Sequence, residues 1–399
     1  MLLPLAPVKQ LMTHSTIGQT LRGHMKKTYA AIPAVAVLLL IAACDDAEDA
    51  VENGNGGDAD NGGSGNDESA EVVGGEGELV VVNWGGTTGE AQRDVWYDPF
   101  TEATGIEVVD VSPPEGSQLI SQVDTNNVEW DVALFDGTQI DQLLMQGGDY
   151  LDPIPWDDFD QDLISGIPEE AQHEYGVGAY YWGWAQVYNT EVFDEAPQDW
   201  EDFYDTEAFP GARTMPDQPR STFEAAQMSM GISPDSLYPP DIDASFDRLG
   251  EIDPDIATYW SAGAEGAQLM VDEEAVIGQV FINQVVPHIL DGAPLDIVWD
   301  EAIYSMDFFS VPAGQMSDEV IEFLEFISAP EQQANYSNAV SAGPVHEDSL
   351  DFVDDDMVQY MVTHPDNIEN AVEYDYGDWW GENRDDMDVQ WEEWKLGME

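Results

Sequence analysis

The chain has 399 residues, with 82 acidic and 10 basic side chains and a formal net charge of −72 at pH 7. This charge repels nucleic acid phosphates and anionic lipid headgroups, so neither is expected as a partner. The single cysteine can form neither an intramolecular disulfide nor a cysteine-based zinc site. A disordered acidic chain is also excluded, because 13 Trp, 15 Tyr and 14 Phe residues are interleaved with the acids.

Residues 1–43 are predicted to be an export signal. Lys26 and Lys27 form a basic patch before the apolar run 29–43, which ends in small residues. That run is shorter than the roughly 20 residues of a membrane-spanning helix. We therefore expect cleavage of the signal, with Met25 as the true start of translation.

Cys44 closes this segment in the sequence Ile41-Ala42-Ala43-Cys44, which resembles a bacterial lipobox. In a lipobox the thiol is lipidated and the chain is cut just before it. Cys44 is thus predicted to anchor the mature protein to a membrane, on its periplasmic or extracytoplasmic face. The following Asp45 resembles the signal that retains some lipoproteins in the inner membrane of bacteria with two membranes.

The mature chain from Cys44 onward would hold all 82 acids but only six basic residues. Residues 44–77 consist mainly of Gly, Asn, Asp, Glu and Ala, and we interpret them as a disordered acidic tether. Asp58-Ala59-Asp60 opens like a calcium loop, but Gly62 and Ser69 stand where ligands are needed. No metal or cofactor is expected. The acidic surface is similar to those of proteins from salt-loving microbes.

From Glu78 the pattern alternates between strands and helices. The segments "ELVVVNW", "IEVVDV" and "WDVALF" are predicted strands, with a helix over 90–104 between the first two. A second helix, with Ile140, Leu143 and Leu144 on one face, follows the third strand and ends at Gly147-Gly148. This alternation is typical of a parallel α/β sheet.

The later elements continue the same pattern. "EAVIGQVF" and "LDIVW" are predicted strands with a helix over 283–290 between them. Ser317 is expected to cap a helix, and Pro330 to begin the next one. The apolar face of the first of these helices comprises Val320, Phe323, Leu324 and Ile327.

Motifs for catalysis are weak. The sequence has no G-x-S-x-G elbow and no phosphate-binding loop. His173-Glu174 and His346-Glu347 lack the second histidine of a zinc-protease helix. Paired carboxylates occur throughout, so they neither support nor exclude a glycosidase. We expect no enzyme, with a secreted acidic hydrolase as a remaining alternative.

Several segments between Glu78 and Lys395 are similar to the spermidine/putrescine class of extracytoplasmic solute-binding proteins, the capture components of ABC importers. Their order and spacing carry this resemblance, since each piece alone is weak. The segments are "VVNWGG", "DPFTEATGIEV", "YNTEVF", "PQDWEDFYD", "FPGARTMPD", "GAPLDIVWDEAIYSMDFFSVPAG" and "FLEFISAPEQQANY".

The resemblance implies an α/β, two-lobed periplasmic-binding-protein fold of type II. A ligand cleft would lie between lobes joined by two crossing segments, near Tyr180–Tyr188 and Trp299–Val311. Ligand that bridges the cleft would favour a closed form, which the ABC permease recognises. We expect a monomer. The implied lobes are 78–186 with 306–351 and 187–305 with 352–399.

The resemblance also implies a ligand set for a polyamine such as putrescine or spermidine. A site for such cations needs aromatic faces and carboxylates. Trp84 matches a pocket tryptophan of the class, Asp307 its amine-binding carboxylate, and Phe281 stands where it has a tryptophan. The residues predicted to bind ligand are Trp84, Thr87, Asp136, Thr138, Asp217, Phe281 and Asp307.

Other positions depart from the class. Thr87 and Thr138 stand at tyrosine positions, and Asp136 stands where serine is common. Arg220 lies between two positions at which the class has acids, here Gln218 and Ser221, with Asp217 one place before the first. A smaller amine, or a zwitterion whose carboxylate pairs with Arg220, therefore fits at least as well as spermidine. Another small solute, such as an amino-acid derivative or a sugar, is the alternative. Four further aromatic residues suit the cleft or the core equally: Tyr181, Trp182, Trp184 and Tyr304.

Overall fold

The computed structural model describes residues 77–193, 195–374 and 376–398. The predicted signal, Cys44 and the tether up to residue 76 lie outside the described residues. Within the described part of the chain, no helix is long and apolar enough to cross a membrane.

The strands form one mixed sheet. Its main path has the order β2-β1-β3-β10-β6-β9-β7-β8, and β4, β5 and β11 pair at the margins of β10 and β6. The described strands are β1 (Glu78–Val82), β2 (Glu107–Val111), β3 (Val132–Asp136), β4 (Leu151–Asp152), β5 (Gln172–His173), β6 (Gly176–Asn189), β7 (Arg213–Pro216), β8 (Ile256–Trp260), β9 (Ile277–Phe281), β10 (Leu295–Pro312) and β11 (Val372–Glu373).

The helices pack against the sheet, and two of them begin at the residue that follows a strand. The described α-helices are α1 (Gly86–Gln92), α2 (Asp98–Thr104), α3 (Gly116–Asp124), α4 (Gly137–Met145), α5 (Gln161–Ile164), α6 (Trp200–Tyr204), α7 (Thr222–Met228), α8 (Ile242–Ile252), α9 (Gly263–Val271), α10 (Ile282–Leu290), α11 (Asp318–Ser328), α12 (Pro330–Val340), α13 (Pro365–Ile368) and α14 (Gly381–Met398).

Two long strands, β6 and β10, run antiparallel through the middle of the sheet. The prediction of a parallel sheet is correct for β2-β1-β3 on one side and for β9-β7-β8 on the other. It is wrong at the centre, where β10 runs antiparallel to both β3 and β6. Antiparallel neighbours need no crossover helix, so the alternating pattern of helices and strands carried no sign of them.

The predicted elements are present, with different limits at two places. The helix expected over 90–104 begins earlier, at Gly86, and contains a π-helical turn over Arg93–Tyr97 between α1 and α2. The strand expected in "LDIVW" continues to Pro312 as β10. The pairing of β10 with β6 shifts register between Val298 and Ile303. The predicted strand ends at this irregularity, whereas β10 continues beyond it.

The helix that Ser317 was expected to cap is confirmed as α11, and Pro330 stands at the start of α12. The hydroxyl of Ser317 accepts a hydrogen bond from the backbone N–H of Val320, at 3.2 Å. All four residues of the predicted apolar face are buried. Here local sequence and tertiary packing agree.

Two large hydrophobic clusters support the sheet. The larger one surrounds β1, β3 and β10, and includes the fully buried Trp96 and Phe309. The second contains Trp200 and Phe223 from the middle of the chain and Trp391 from the C-terminal helix α14. The end of the chain is thus anchored beside residues from its middle, next to the site described below.

Candidate ligand-binding site

Three adjacent strands bring the central polar residues of the site into register. Asp307 on β10 is the direct Cα partner of Asp136 on β3 and of Tyr180 on β6. Alternate residues of a strand point to the same face, so Trp182 projects beside Tyr180. Sheet register alone therefore places two carboxylates and two aromatic side chains together.

The Asp307 carboxylate is 4% exposed and accepts three hydrogen bonds from aromatic side chains. The donors are the Tyr180 hydroxyl at 2.7 Å and the indole N–H groups of Trp84 and Trp182, both at 2.8 Å. Burial raises the pKa of Asp307 to about 7, although the Tyr180 hydrogen bond opposes this shift. An organic cation would supply the charge partner that these neutral donors do not.

Asp136 lies at the junction of β3 and α4, where its side chain serves two purposes. Its Oδ1 accepts a hydrogen bond from the backbone N–H of Gln139 at 2.8 Å, which caps α4. Its Oδ2 lies 3.2 Å from Nη1 of Arg220 and 3.7 Å from Nη1 of Arg384. The negative charge of Asp136 is therefore already compensated by arginine.

Arg220 adds a cation beside the aromatic side chains. Its guanidinium carbon lies 5.6 Å from the ring centroid of Trp184, 5.9 Å from that of Tyr374 and 6.0 Å from that of Trp182. The Nε of Arg220 is buried and has no hydrogen-bond partner among the described residues. Arg220 also lines the cavity described next, so its guanidinium group can donate to an anionic group of a ligand.

These residues surround a cavity of about 410 Å³, a volume typical of small-molecule sites. We call it the central cavity. It is lined by Trp84, Thr88, Asp136, Tyr180, Trp182, Arg220, Gly263, Ala264, Phe281, Asn283, Gln284 and Asp307.

Four of the seven residues predicted to bind ligand line the central cavity: Trp84, Asp136, Phe281 and Asp307. Trp84 is 39% exposed and forms part of the cavity wall. Phe281 stacks on the buried Trp184, with ring centroids 5.1 Å apart.

The other three do not line it. Thr87 is exposed on α1, and its neighbour Thr88 faces the cavity instead. Thr138 is fully buried in the first turn of α4. Asp217 instead binds side chains of α14: its Oδ1 accepts hydrogen bonds from Trp391 Nε1 at 2.8 Å and Lys395 Nζ at 2.6 Å.

Sequence reasoning missed Tyr180 and left Trp182 undecided. The alternation in "YYWGW" was the available signal, because Tyr180 and Trp182 share one face of β6. Tyr181 lies on the opposite face, where its ring is 5.9 Å from that of Tyr304. Asn283 and Gln284 were also missed, although they lie two and three positions after Phe281 in the first turn of α10.

A mixed sheet with two long central strands and a polar, aromatic-walled cavity is the architecture of a solute-binding protein. Residues 96–364 match the bacterial extracellular solute-binding protein family. The chain belongs to this family.

Two curated relatives and one solved structure illustrate the similarity. The γ-aminobutyric acid-binding protein of Pseudomonas aeruginosa is 27% identical over 328 residues, covering 79% of this chain and 90% of the relative. The spermidine/putrescine-binding periplasmic protein of Escherichia coli is 22% identical, covering 59% of this chain and 69% of the relative. A solved GABA receptor structure has a TM-score of 0.72 at 28% identity, covering 80% of this chain and 97% of that structure.

The expectation of a solute-binding protein of an ABC importer is therefore confirmed, whereas the spermidine/putrescine class stays a prediction. The fold is the two-lobed α/β fold of periplasmic binding proteins, and the chain is the substrate-binding component of an ABC transporter rather than an enzyme. Proteins of this family bind small molecules and interact with ABC permeases. Among the described residues, no group of three or more His, Cys, Asp or Glu side chains is arranged to hold a metal ion.

Proposed function

We propose that this protein captures a small zwitterion of the γ-aminobutyric acid class, with an ammonium group at one end and a carboxylate at the other. The ammonium group would bind Asp307 between Trp84 and Trp182, and the carboxylate would bind Arg220. The observation that carries this proposal is the ion pair between Arg220 and Asp136 inside the central cavity.

Charge balance decides between ligand classes. Asp136 is compensated by Arg220 and Arg384, so Asp307 is the one cavity-lining carboxylate without a cationic partner in the described chain. A diamine would bring two positive charges to one such carboxylate. A zwitterion brings one positive charge to Asp307 and one negative charge to the guanidinium group of Arg220, which lines the cavity. With a zwitterion bound, no buried charge is left unpaired. An unpaired buried charge would cost several kcal/mol, roughly.

Similarity to the γ-aminobutyric acid-binding protein and to the GABA receptor structure supports the same ligand class.

A polyamine such as putrescine is the second candidate. The observation in its favour is that two carboxylates, Asp136 and Asp307, lie opposite each other on β3 and β10 and both line the central cavity. Both would serve a diamine if Arg220 turned away from Asp136. The similarity to the spermidine/putrescine-binding protein agrees with this alternative.

Isothermal titration calorimetry in concentrated salt tests the choice. γ-Aminobutyric acid should bind saturably, and more tightly than putrescine or spermidine. Asp307→Asn should weaken its binding by about 2–5 kcal/mol, because the ammonium group would lose its buried counter-ion.

Asp98→Asn is the matched control, since it removes one exposed carboxylate that pairs with Arg93 at the surface. Its affinity should equal that of the wild type. Tighter binding of putrescine than of γ-aminobutyric acid would favour the polyamine alternative. Unchanged affinity in Asp307→Asn would show that Asp307 does not bind the ligand.

The cellular setting forms part of the proposal. Cys44 would carry the lipid anchor, and residues 45–77 would let the lobes reach the permease from the membrane surface. With the expected lobe limits, 78–186 with 306–351 and 187–305 with 352–399, β6 and β10 would each run through both lobes beside the central cavity. Lobe closure on the ligand would then present one shape to the permease.

A further inference from the structure

Arg384 projects from the C-terminal helix α14 toward Asp136 at the edge of the central cavity, and α14 lies beyond the segment 96–364 that matches the family. Its Nη1 approaches the same oxygen, Oδ2 of Asp136, that Arg220 contacts. Two guanidinium groups therefore converge on one carboxylate oxygen at the edge of the cavity.

Helix α14 is held firmly at this position. Trp391 is 1% exposed and donates its indole N–H to Asp217, and Lys395 pairs with the same carboxylate. Met387, one turn after Arg384, is buried in the second hydrophobic cluster. The position of Arg384 therefore follows from a packed helix, in contrast to a surface ion pair between two mobile side chains.

Arg384 does not line the central cavity. It faces a neighbouring cavity of about 250 Å³, which also borders Arg220. Its other acidic partner is Asp388, whose side chain is 53% exposed and whose carboxylate lies 3.9 Å from the Arg384 Nε. Arg384 is thus placed to act on the ligand through Asp136 rather than by direct contact.

Only six Lys and Arg residues follow Cys44, and two of them share Asp136. The other oxygen of Asp136 is committed to the cap of α4. Asp136, Arg220 and Arg384 together carry one positive charge in excess, which the half-exposed Asp388 beside Arg384 offsets in part. Asp388 is not among the residues that line the central cavity, so on the cavity side the excess charge is available to a ligand carboxylate.

We infer that Arg384 is a positioning residue for ligand selectivity, an inference that rests on the proposed function. In the empty site Asp136 is shared between Arg220 and Arg384. When the ligand carboxylate takes Arg220, Arg384 retains Asp136 and keeps its charge compensated. Without Arg384, Asp136 would compete for Arg220 and repel the incoming carboxylate. Arg384 thus favours zwitterions over simple amines.

Affinities of γ-aminobutyric acid and n-butylamine, which lacks the carboxylate, test this role. Arg384→Ala should weaken the binding of γ-aminobutyric acid about tenfold or more. The affinity for n-butylamine, measured by competition, should stay the same or increase. Arg384→Lys should recover most of the affinity because the positive charge returns. An equal loss for both ligands would mean that α14 acts only by packing, and would overturn the inference.

A double-mutant cycle separates positioning from structure. Asp136→Asn keeps a capping oxygen for α4 but removes the charge that Arg384 compensates. In that background Arg384→Ala should change the affinity for γ-aminobutyric acid less than twofold. A loss as large as in the wild-type background would overturn the inference.

Arg93→Ala is the control for net charge, because Arg93 pairs with Asp98 and Asp110 and contacts no residue of the central cavity. Its affinity should stay within twofold of the wild type. If the wild type fails to bind γ-aminobutyric acid, the proposed function is wrong and this inference fails with it. If the wild type binds and Arg384→Ala binds equally well, only the inference is wrong.

Discussion

Asp307 shows how a single residue can combine a cost for folding with a use in binding. It is buried among Trp84, Tyr180 and Trp182, whose neutral donors compensate its charge only in part. Its pKa of about 7 expresses the cost of that burial. A ligand ammonium group would pair with the buried carboxylate and remove this cost, which would add to the free energy of binding.

The pH dependence of ligand affinity follows from the same residue. Because the pKa of Asp307 is raised to about 7, the carboxyl group is neutral below that pH in the ligand-free protein and cannot pair with an ammonium group. We expect affinity to be highest above pH 7 and to fall by about tenfold per pH unit well below it. Calorimetry between pH 5 and 8 measures this slope.

The amine and the carboxylate of γ-aminobutyric acid keep their charges over this range, since such groups titrate near pH 10 and pH 4, roughly. The slope therefore reports on the protein. Asp307→Asn, which has no carboxyl group at this position, should show a flat profile. A wild-type affinity that is constant from pH 5 to 8 would contradict a raised pKa at Asp307.

At the scale of elements, β6 and β10 matter most, because they position Tyr180, Trp182 and Asp307. The two backbones approach closely at Gly183, where an added Cβ would lie 2.6 Å from the carbonyl oxygen of Ile303. No side chain fits there without separating the strands. Glycine is thus required at this position for a reason that a local sequence pattern does not show.

Gly183→Ala should destabilise the fold by about 1–3 kcal/mol, because the extra methyl group overpacks the contact between β6 and β10. It should also weaken ligand binding, since Trp182 is adjacent. Chemical denaturation and calorimetry measure the two effects.

The matched control is Gly250→Ala in α8, where an added Cβ meets nothing within 4 Å. This change should stabilise the protein by about 0.5–1 kcal/mol and leave binding unchanged. Equal stability of the two variants would show that β6 and β10 can separate without cost.

At the scale of the whole molecule, the net charge of −72 has the largest effect on the stability of the fold. The described cations are few, and most already form ion pairs, as Arg93 does with Asp98 and Asp110. Most acids therefore have no cationic neighbour to compensate them. Their mutual repulsion disfavours the compact state and is reduced by dissolved ions.

The melting temperature should therefore rise steeply as NaCl or KCl is added, and similarly for both salts, because screening depends on ionic strength. Differential scanning calorimetry measures this rise. Sucrose at matched osmolality is the control, since it favours the compact state without screening charge. A melting temperature that does not change with salt concentration, or that rises as much with sucrose as with salt, would contradict the electrostatic account.

The sequence by itself determined the class of protein and much of its fold. Apolar strands such as "ELVVV", the cap at Ser317 and the order of the family-like segments are local features, and local propensity and pattern predict local structure. Trp84, Phe281 and Asp307 could be selected through the resemblance, because each stands at a position that matches a pocket residue of the family.

Only the tertiary structure decided the charge balance of the site. Arg220 and Asp136 are separated by 84 positions in the chain, and Trp391 and Asp217 by 174. Contacts between such distant residues leave no periodic signal, and 82 acids offer too many partners for six cations to be assigned by inspection. Which carboxylate remains free for a ligand depends on which ones the arginines already hold, and that is settled only when β3, β7 and α14 pack together.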